Sequence, residues 1–117
     1  MKSDQLKDKI IAALEDVKGR QIVALDVREL TDMTDYMVIA SGSSNRQVKA
    51  LAENVIDEMR QLGLRAIGSE GDEAADWILV DYADVVVHIM LPEARTFYDL
   101  ESLWSDGGMQ VPEQFGD

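Results

Sequence analysis

Few residues in this chain could do covalent chemistry. There is one histidine, His88, and no cysteine in 117 residues. A hydroxyl nucleophile needs a base within hydrogen-bond reach, and no serine stands in an elbow motif that would point to His88. Thiolate chemistry and Cys-type zinc sites are excluded, and one imidazole cannot supply the ligand set of a zinc hydrolase. Two groupings remain. The run Ser41-Gly42-Ser43-Ser44-Asn45 follows an apolar segment and precedes a helical pattern, a position from which backbone N–H groups could cradle a phosphate. It lacks the P-loop lysine and matches neither the P-loop nor the dinucleotide spacing. The second is the pair Asp81 and Asp84, which brackets a short turn. Two carboxylates can share metal ions for phosphoryl transfer only if they are held together, and turn aspartates are more often structural. The acidic run Ser69-Glu70-Gly71-Asp72-Glu73 does not have calcium-loop spacing and reads as a solvated loop.

The elements that would position these groups follow from periodicity. Leu6, Ile10, Ile11, Leu14 and Val17 recur at helical spacing, with Ser3 or Asp4 as cap and Gly19 as stop. Ile22 to Val27 reads as a buried strand, and Tyr36 to Ala40 as a second strand after a polar turn. A long helix follows the serine-rich run, with Val48, Leu51, Ala52, Val55, Ile56, Met59 and Leu62 on one stripe and Gly63 at its end. Leu64 to Ile67 is a short third strand and Gly68 to Asp76 a polar loop. Trp77 to Asp81 and Val85 to Leu91 form an antiparallel hairpin, and Pro92 opens a last helix. Met33, Met37, Met59 and Met90 fall within the core pattern. The order α-β-β-α-β-β-β-α predicts one α/β domain with a mixed five-stranded sheet and three helices over residues 1–104. Residues 105–117 read as a flexible tail rich in Gly and Pro.

Pairing Asp81 with Asp84 sets Val80 opposite Val85, Leu79 opposite Val86, Ile78 opposite Val87 and Trp77 opposite His88. Alternation then separates two faces. Ile78, Val80, Val85, Val87 and Ile89 are wholly aliphatic and belong to the core. Trp77, Leu79, Asp81, Asp84, Val86, His88 and Met90 mix aromatic, apolar and ionisable groups, the composition of a protein-binding surface. Cover by a helix, with His88 as a hydrogen-bonded half-buried residue, fits the same pattern.

With 11 basic and 23 acidic residues the net charge is −12. Phosphate backbones and anionic lipid repel such a surface unless its cations are gathered, and here they are scattered from Lys2 to Arg95. The charge suits a basic partner, or solubility alone. The charged N-terminus is no secretory signal, and the longest apolar run, Val85 to Leu91, is too short to span a membrane. The expected compartment is the cytoplasm.

Several blocks in unbroken order carry a resemblance. They are Thr34-Asp35-Tyr36-Met37-Val38-Ile39-Ala40-Ser41-Gly42-Ser43-Ser44-Asn45-Arg46-Gln47-Val48-Lys49-Ala50, Glu70-Gly71, Asp76-Trp77-Ile78-Leu79-Val80-Asp81-Tyr82-Ala83-Asp84-Val85-Val86-Val87-His88 and Arg95-Thr96-Phe97-Tyr98-Asp99-Leu100-Glu101-Ser102-Leu103-Trp104. Together, from about Leu6 to Trp104, they resemble the ribosomal silencing factor (RsfS, or Iojap) family. The resemblance implies a nucleotidyltransferase-like fold without the catalytic carboxylates. No cofactor and no metal are expected. The implied partner is large-subunit ribosomal protein fourteen, where a bound protein would block subunit joining by excluded volume and lower translation under nutrient limitation. Relatives in organelles imply a role in large-subunit assembly. On this resemblance Trp77, Leu79, His88 and Met90 are expected at the centre of the docking face, with Asp81, Tyr82 and Asp84 at its edge and Tyr98 beside it. A weak homodimer burying the same face is expected to compete for it. The alternative from another class is a divergent nucleotidyltransferase-like enzyme using Ser43 or Ser44 with Asp81 and Asp84.

Overall fold

A computed structural model describes residues 1–71 and 73–98, the last three by backbone alone. The elements run α1 (Ser3–Asp16), β1 (Arg20–Asp26), β2 (Tyr36–Ser41), α2 (Asn45–Gln61), β3 (Gly68–Glu70), β4 (Trp77–Asp81), β5 (Val85–Met90) and α3 (Pro92–Tyr98). The five strands form one mixed sheet in the order β1-β2-β5-β4-β3, in which β2 and β5 are parallel and every other pair is antiparallel. The predicted order, mixed sheet and helix count hold. The expected 105–117 tail lies outside the described residues.

The apolar stripes of α1 and α2 pack on one sheet face. Leu6, Ile10 and Leu14 of α1 and Val48, Leu51, Val55 and Met59 of α2 meet Val38, Ala40, Ile78, Val80, Val87 and Ile89 in the main core. Burying aliphatic side chains of this size is worth roughly 1.5–3 kcal/mol each, which makes this cluster the principal source of stability. Ser44 caps α2 by accepting the Gln47 N–H at 3.1 Å. Gly63, at φ +83°, ends the helix, and the Leu64 N–H returns to the Met59 carbonyl at 2.9 Å.

Every residue of β2 is buried. A central strand buried on both sides requires cover on both sides. Helices α1 and α2 supply it on the first face. On the second, Met37 and Ile39 join Val27 and Met90 in a smaller cluster, against which Leu25, Leu30, Trp77 and Ala94 of α3 pack.

Four expectations change. Helix α1 begins at Ser3 with Lys2 as its N-cap, so neither Ser3 nor Asp4 caps it. Strand β1 is an edge strand with exposed and half-buried residues in place of a buried strand, and a bulge between Arg20 and Val23 interrupts its pairing. The third strand is Gly68–Glu70, within the expected loop, and not Leu64–Ile67. Its side chains are all exposed, so no hydrophobic pattern marked it; backbone pairing to β4 (Gly68 with Asp81, Glu70 with Leu79) defines it. The hairpin register slips by two residues, pairing Trp77 with Met90, Leu79 with His88 and Asp81 with Val86. Tyr82-Ala83 offers no glycine or asparagine for a tight two-residue turn. The turn moves to Ala83-Asp84 instead, with the Tyr82 N–H donating to the Val85 carbonyl at 2.9 Å, the Asp81 carboxylate accepting the Ala83 N–H at 2.7 Å and Ala83 at φ +68°. A slip of two preserves parity, so the two predicted faces survive intact.

Candidate docking face

The second face runs from the hairpin turn to the C-terminal ends of β2 and β5, and its two ends differ. At the α3 end, Met90 is fully buried and His88 is 7% exposed. The Trp77 indole Nε1–H donates to His88 Nδ1 at 3.0 Å, with ring centroids 5.8 Å apart and planes tilted by 41°. Accepting at Nδ1 requires that nitrogen to be unprotonated, so the imidazole is neutral with its proton on Nε2. Burial enforces this by pushing the His88 pKa down to about 4. Beside it the buried Arg95 of α3 donates from Nη1 to the buried Ser41 hydroxyl at 2.9 Å. This strand-to-helix tie carried no signal in the hydrophobic pattern.

At the turn end Leu79, Asp81 and Val86 are half-buried and Asp84 is exposed. Tyr82 points elsewhere. Its ring is buried in the main core, its hydroxyl has no hydrogen-bond partner among the described residues, and burial pushes its pKa up to about 12.

The expected docking residues therefore divide. Trp77, Leu79, Asp81 and Asp84 reach the surface. His88 and Met90 lie on the same face but are buried beneath the cover at the α3 end, and Tyr82, in the turn, is buried in the main core. The Tyr98 side chain lies outside the described residues. Sequence reasoning missed Met33 and Ile67. Met33, expected in the core, is 88% exposed, and Ile67 is 70% exposed. The Thr-Asp-Met-Thr order was the available signal for Met33: the Thr31 hydroxyl accepts the Met33 N–H at 3.1 Å, turning that side chain outward.

The enzyme alternative loses its constellation. Ser43 and Ser44 follow the C-terminal end of β2, whereas Asp84 lies at its start, where its carbonyl accepts the Tyr36 N–H at 3.1 Å. Six strand residues separate them, roughly 20 Å at about 3.3 Å per residue. The helix N-terminus is also occupied by its own side chains. Gln47 Oε1 accepts from the Ser43 N–H (2.6 Å) and hydroxyl (2.8 Å), and Gln47 Nε2 donates to the Val17 and Lys18 carbonyls. Among the described residues no group of three or more His, Cys, Asp or Glu is placed to hold a metal ion. No helix among them is long and apolar enough to cross a membrane.

A surface with apolar and acidic groups but no convergent reactive groups suits binding, and comparison with known proteins names the kind. The family model described as "Ribosomal silencing factor during starvation" matches residues 1–115. The chain belongs to the ribosomal silencing factor family. That span continues past Trp104, where the resemblance in the sequence blocks ended. Ribosomal silencing factor RsfS of Chromobacterium violaceum is 48% identical over 104 residues, covering 89% of this chain and 85% of the relative. A crystal structure of a Chromobacterium violaceum protein superposes with a TM-score of 0.88 at 48% identity, covering 90% of this chain and 88% of that one. The mouse protein "Mitochondrial assembly of ribosomal large subunit protein 1" is 36% identical over 101 residues, covering 84% of this chain and 44% of the mouse protein. Silencing factors are ribosome-associated regulators of translation, not a known enzyme family.

Proposed function

We propose that this chain represses translation in the cytoplasm, under nutrient limitation, by docking on the large ribosomal subunit without catalysing a reaction. Its contact is large-subunit ribosomal protein fourteen, on the surface that meets the small subunit. Occupying that surface keeps the subunits apart by excluded volume. Family membership supports the ribosome as target. The observation that carries the docking mode is the second sheet face, where Trp77, Leu79 and Val86 are partly exposed apolar groups on the same face as Asp81. A net charge of −12 complements a basic ribosomal protein and accelerates encounter at low salt.

The test is sedimentation of the purified chain with isolated large subunits, isolated small subunits and joined ribosomes. Binding to large subunits alone, with fewer joined ribosomes when both subunits are mixed, is the expected outcome. Absence from the large-subunit fraction would refute the docking mechanism. The name of the mouse relative favours a second role in building the large subunit. That role predicts binding to large-subunit precursors as well as to mature subunits.

A further inference from the structure

The two most exposed large apolar side chains of the described residues, Met33 and Ile67, are 34 positions apart in sequence yet line one groove of about 400 Å³. The groove lies at the turn end of the second sheet face, and Val86 and Ala83 also line it. Both exposed side chains are held there by the backbone. The Thr31 hydroxyl fixes the Met33 turn, and the Ile67 N–H donates to the Asp81 carbonyl at 2.7 Å. Asp81 is the one ionisable residue lining the groove among the described residues. Asp32 and Asp84 are exposed close by in sequence to the lining residues Met33 and Ala83. The nearest cations in sequence are engaged or placed elsewhere. Arg28 is tied to Asp26 at 2.6 Å, and Arg65 lines a separate groove with Ile56 and Arg60 of α2.

We infer that this groove receives a basic segment of a ribosomal protein that inserts an apolar side chain between Met33 and Ile67 and sets a lysine or arginine against Asp81. The inference rests on the docking reading above and specifies which part of the face anchors the partner. The commitment to a basic protein segment comes from charge. A phosphate backbone or anionic lipid would meet Asp81 on a chain of net charge −12, with no lining cation to offset it. A basic segment gains from Asp81 and from the acidic surface as a whole, and its apolar anchor removes Met33 and Ile67 from water. Val86 of the groove and Leu79 lie on the same sheet face, so one partner can cover both.

Hydroxyl-radical oxidation of the full chain, free and bound to isolated large subunits, tests this without any substitution. Methionine oxidises according to its exposure. In the free chain Met33 and Met1 (61% exposed) both oxidise. On large subunits Met33 is protected at least tenfold while Met1, the internal control, is not. Met33 oxidising at its free rate on subunits that demonstrably carry the chain would overturn the inference and leave the docking reading standing. No binding to large subunits would overturn both. As a second arm, Met33→Ser with Ile67→Ser, both at exposed positions, weakens large-subunit binding at least tenfold with an unchanged melting temperature. Unchanged binding of that variant would overturn the inference, as would a variant that abolishes self-association while binding subunits normally, which assigns the groove to a second copy of this chain.

Discussion

The two ends of the second sheet face carry the same alternating pattern and meet opposite fates. At the α3 end Met90 is buried in a cluster with Val27, Met37 and Ile39, against which Ala94 of α3 and the half-buried Trp77 pack, and the indole donates to the buried His88. At the turn end Leu79, Asp81 and Val86 remain half-buried, and Asp81 and Val86 line a groove whose walls come from the loop before β2 and the approach to β3. Strand alternation decides which face a residue occupies, whereas burial is decided by what lies over that face. A mixed-composition strand face can thus be half core and half interface.

The largest expected effect lies at the closed end. Met90 is fully buried, and Met90→Ala leaves a cavity against Met37 and Ile39. Deletions of this kind cost about 2–5 kcal/mol. Denaturant unfolding should show a fall in that range, whereas a loss under about 0.5 kcal/mol would mean that this end is not a packed core.

Acid sharpens the same contrast. His88 is held neutral in the folded chain with a pKa of about 4, against about 6.5 when unfolded. Between these values the unfolded state binds the extra proton, so stability falls as pH drops from about 6.5 to about 4 and is unaffected by this group above that window. The shift corresponds to about 3 kcal/mol by the lower limit. His88→Asn keeps an acceptor near the indole N–H without the titration. Its stability should therefore decline less steeply than that of the parent chain across pH 6.5 to 4. Parallel declines would show that the acid sensitivity arises elsewhere.

The sequence was most legible where pattern and burial coincide. The stripes of α1 and α2 and the aliphatic face of β4 and β5 all express burial against one another, which periodicity reads directly. Gly63 marks the end of α2 as expected, whereas α1 ends before Gly19, at Asp16, with Lys18 taking the left-handed position. Parity was robust for a physical reason: the hairpin slipped by two residues, and a slip of two leaves each side chain on its face. Strand β3 was illegible because Gly68, Ser69 and Glu70 bury nothing and pair only through their backbones. Gly71 beside it was a signal of a different kind. At φ +95° a Cβ there would lie 2.0 Å from the Trp77 carbonyl oxygen, so glycine is required where the chain turns back to β4. The site was half legible. Alternation found the face, but the burial of His88, Met90 and Tyr82 and the exposure of Met33 and Ile67 depend on tertiary cover that a single strand does not record.

The smallest expected effect belongs to the open end and separates encounter from folding. The Asp84 backbone carbonyl accepts the Asp35 and Tyr36 N–H groups at 2.9 and 3.1 Å, contacts that do not involve its exposed carboxylate. Asp84→Asn should therefore change stability by no more than about 0.5 kcal/mol. If the open end faces a basic partner, removing this charge slows association with large subunits by about twofold at low ionic strength, because rim charges act mainly on the association rate. Added salt screens surface charges beyond a Debye length of about 8 Å at physiological strength, so the difference from the parent chain should shrink as salt rises. Stopped-flow association at several salt concentrations reads both quantities. A rate difference that persists unchanged at high salt would mean that Asp84 makes a close, desolvated contact; a rate increase would mean that the surface it meets is acidic, and the open end would then need a different partner.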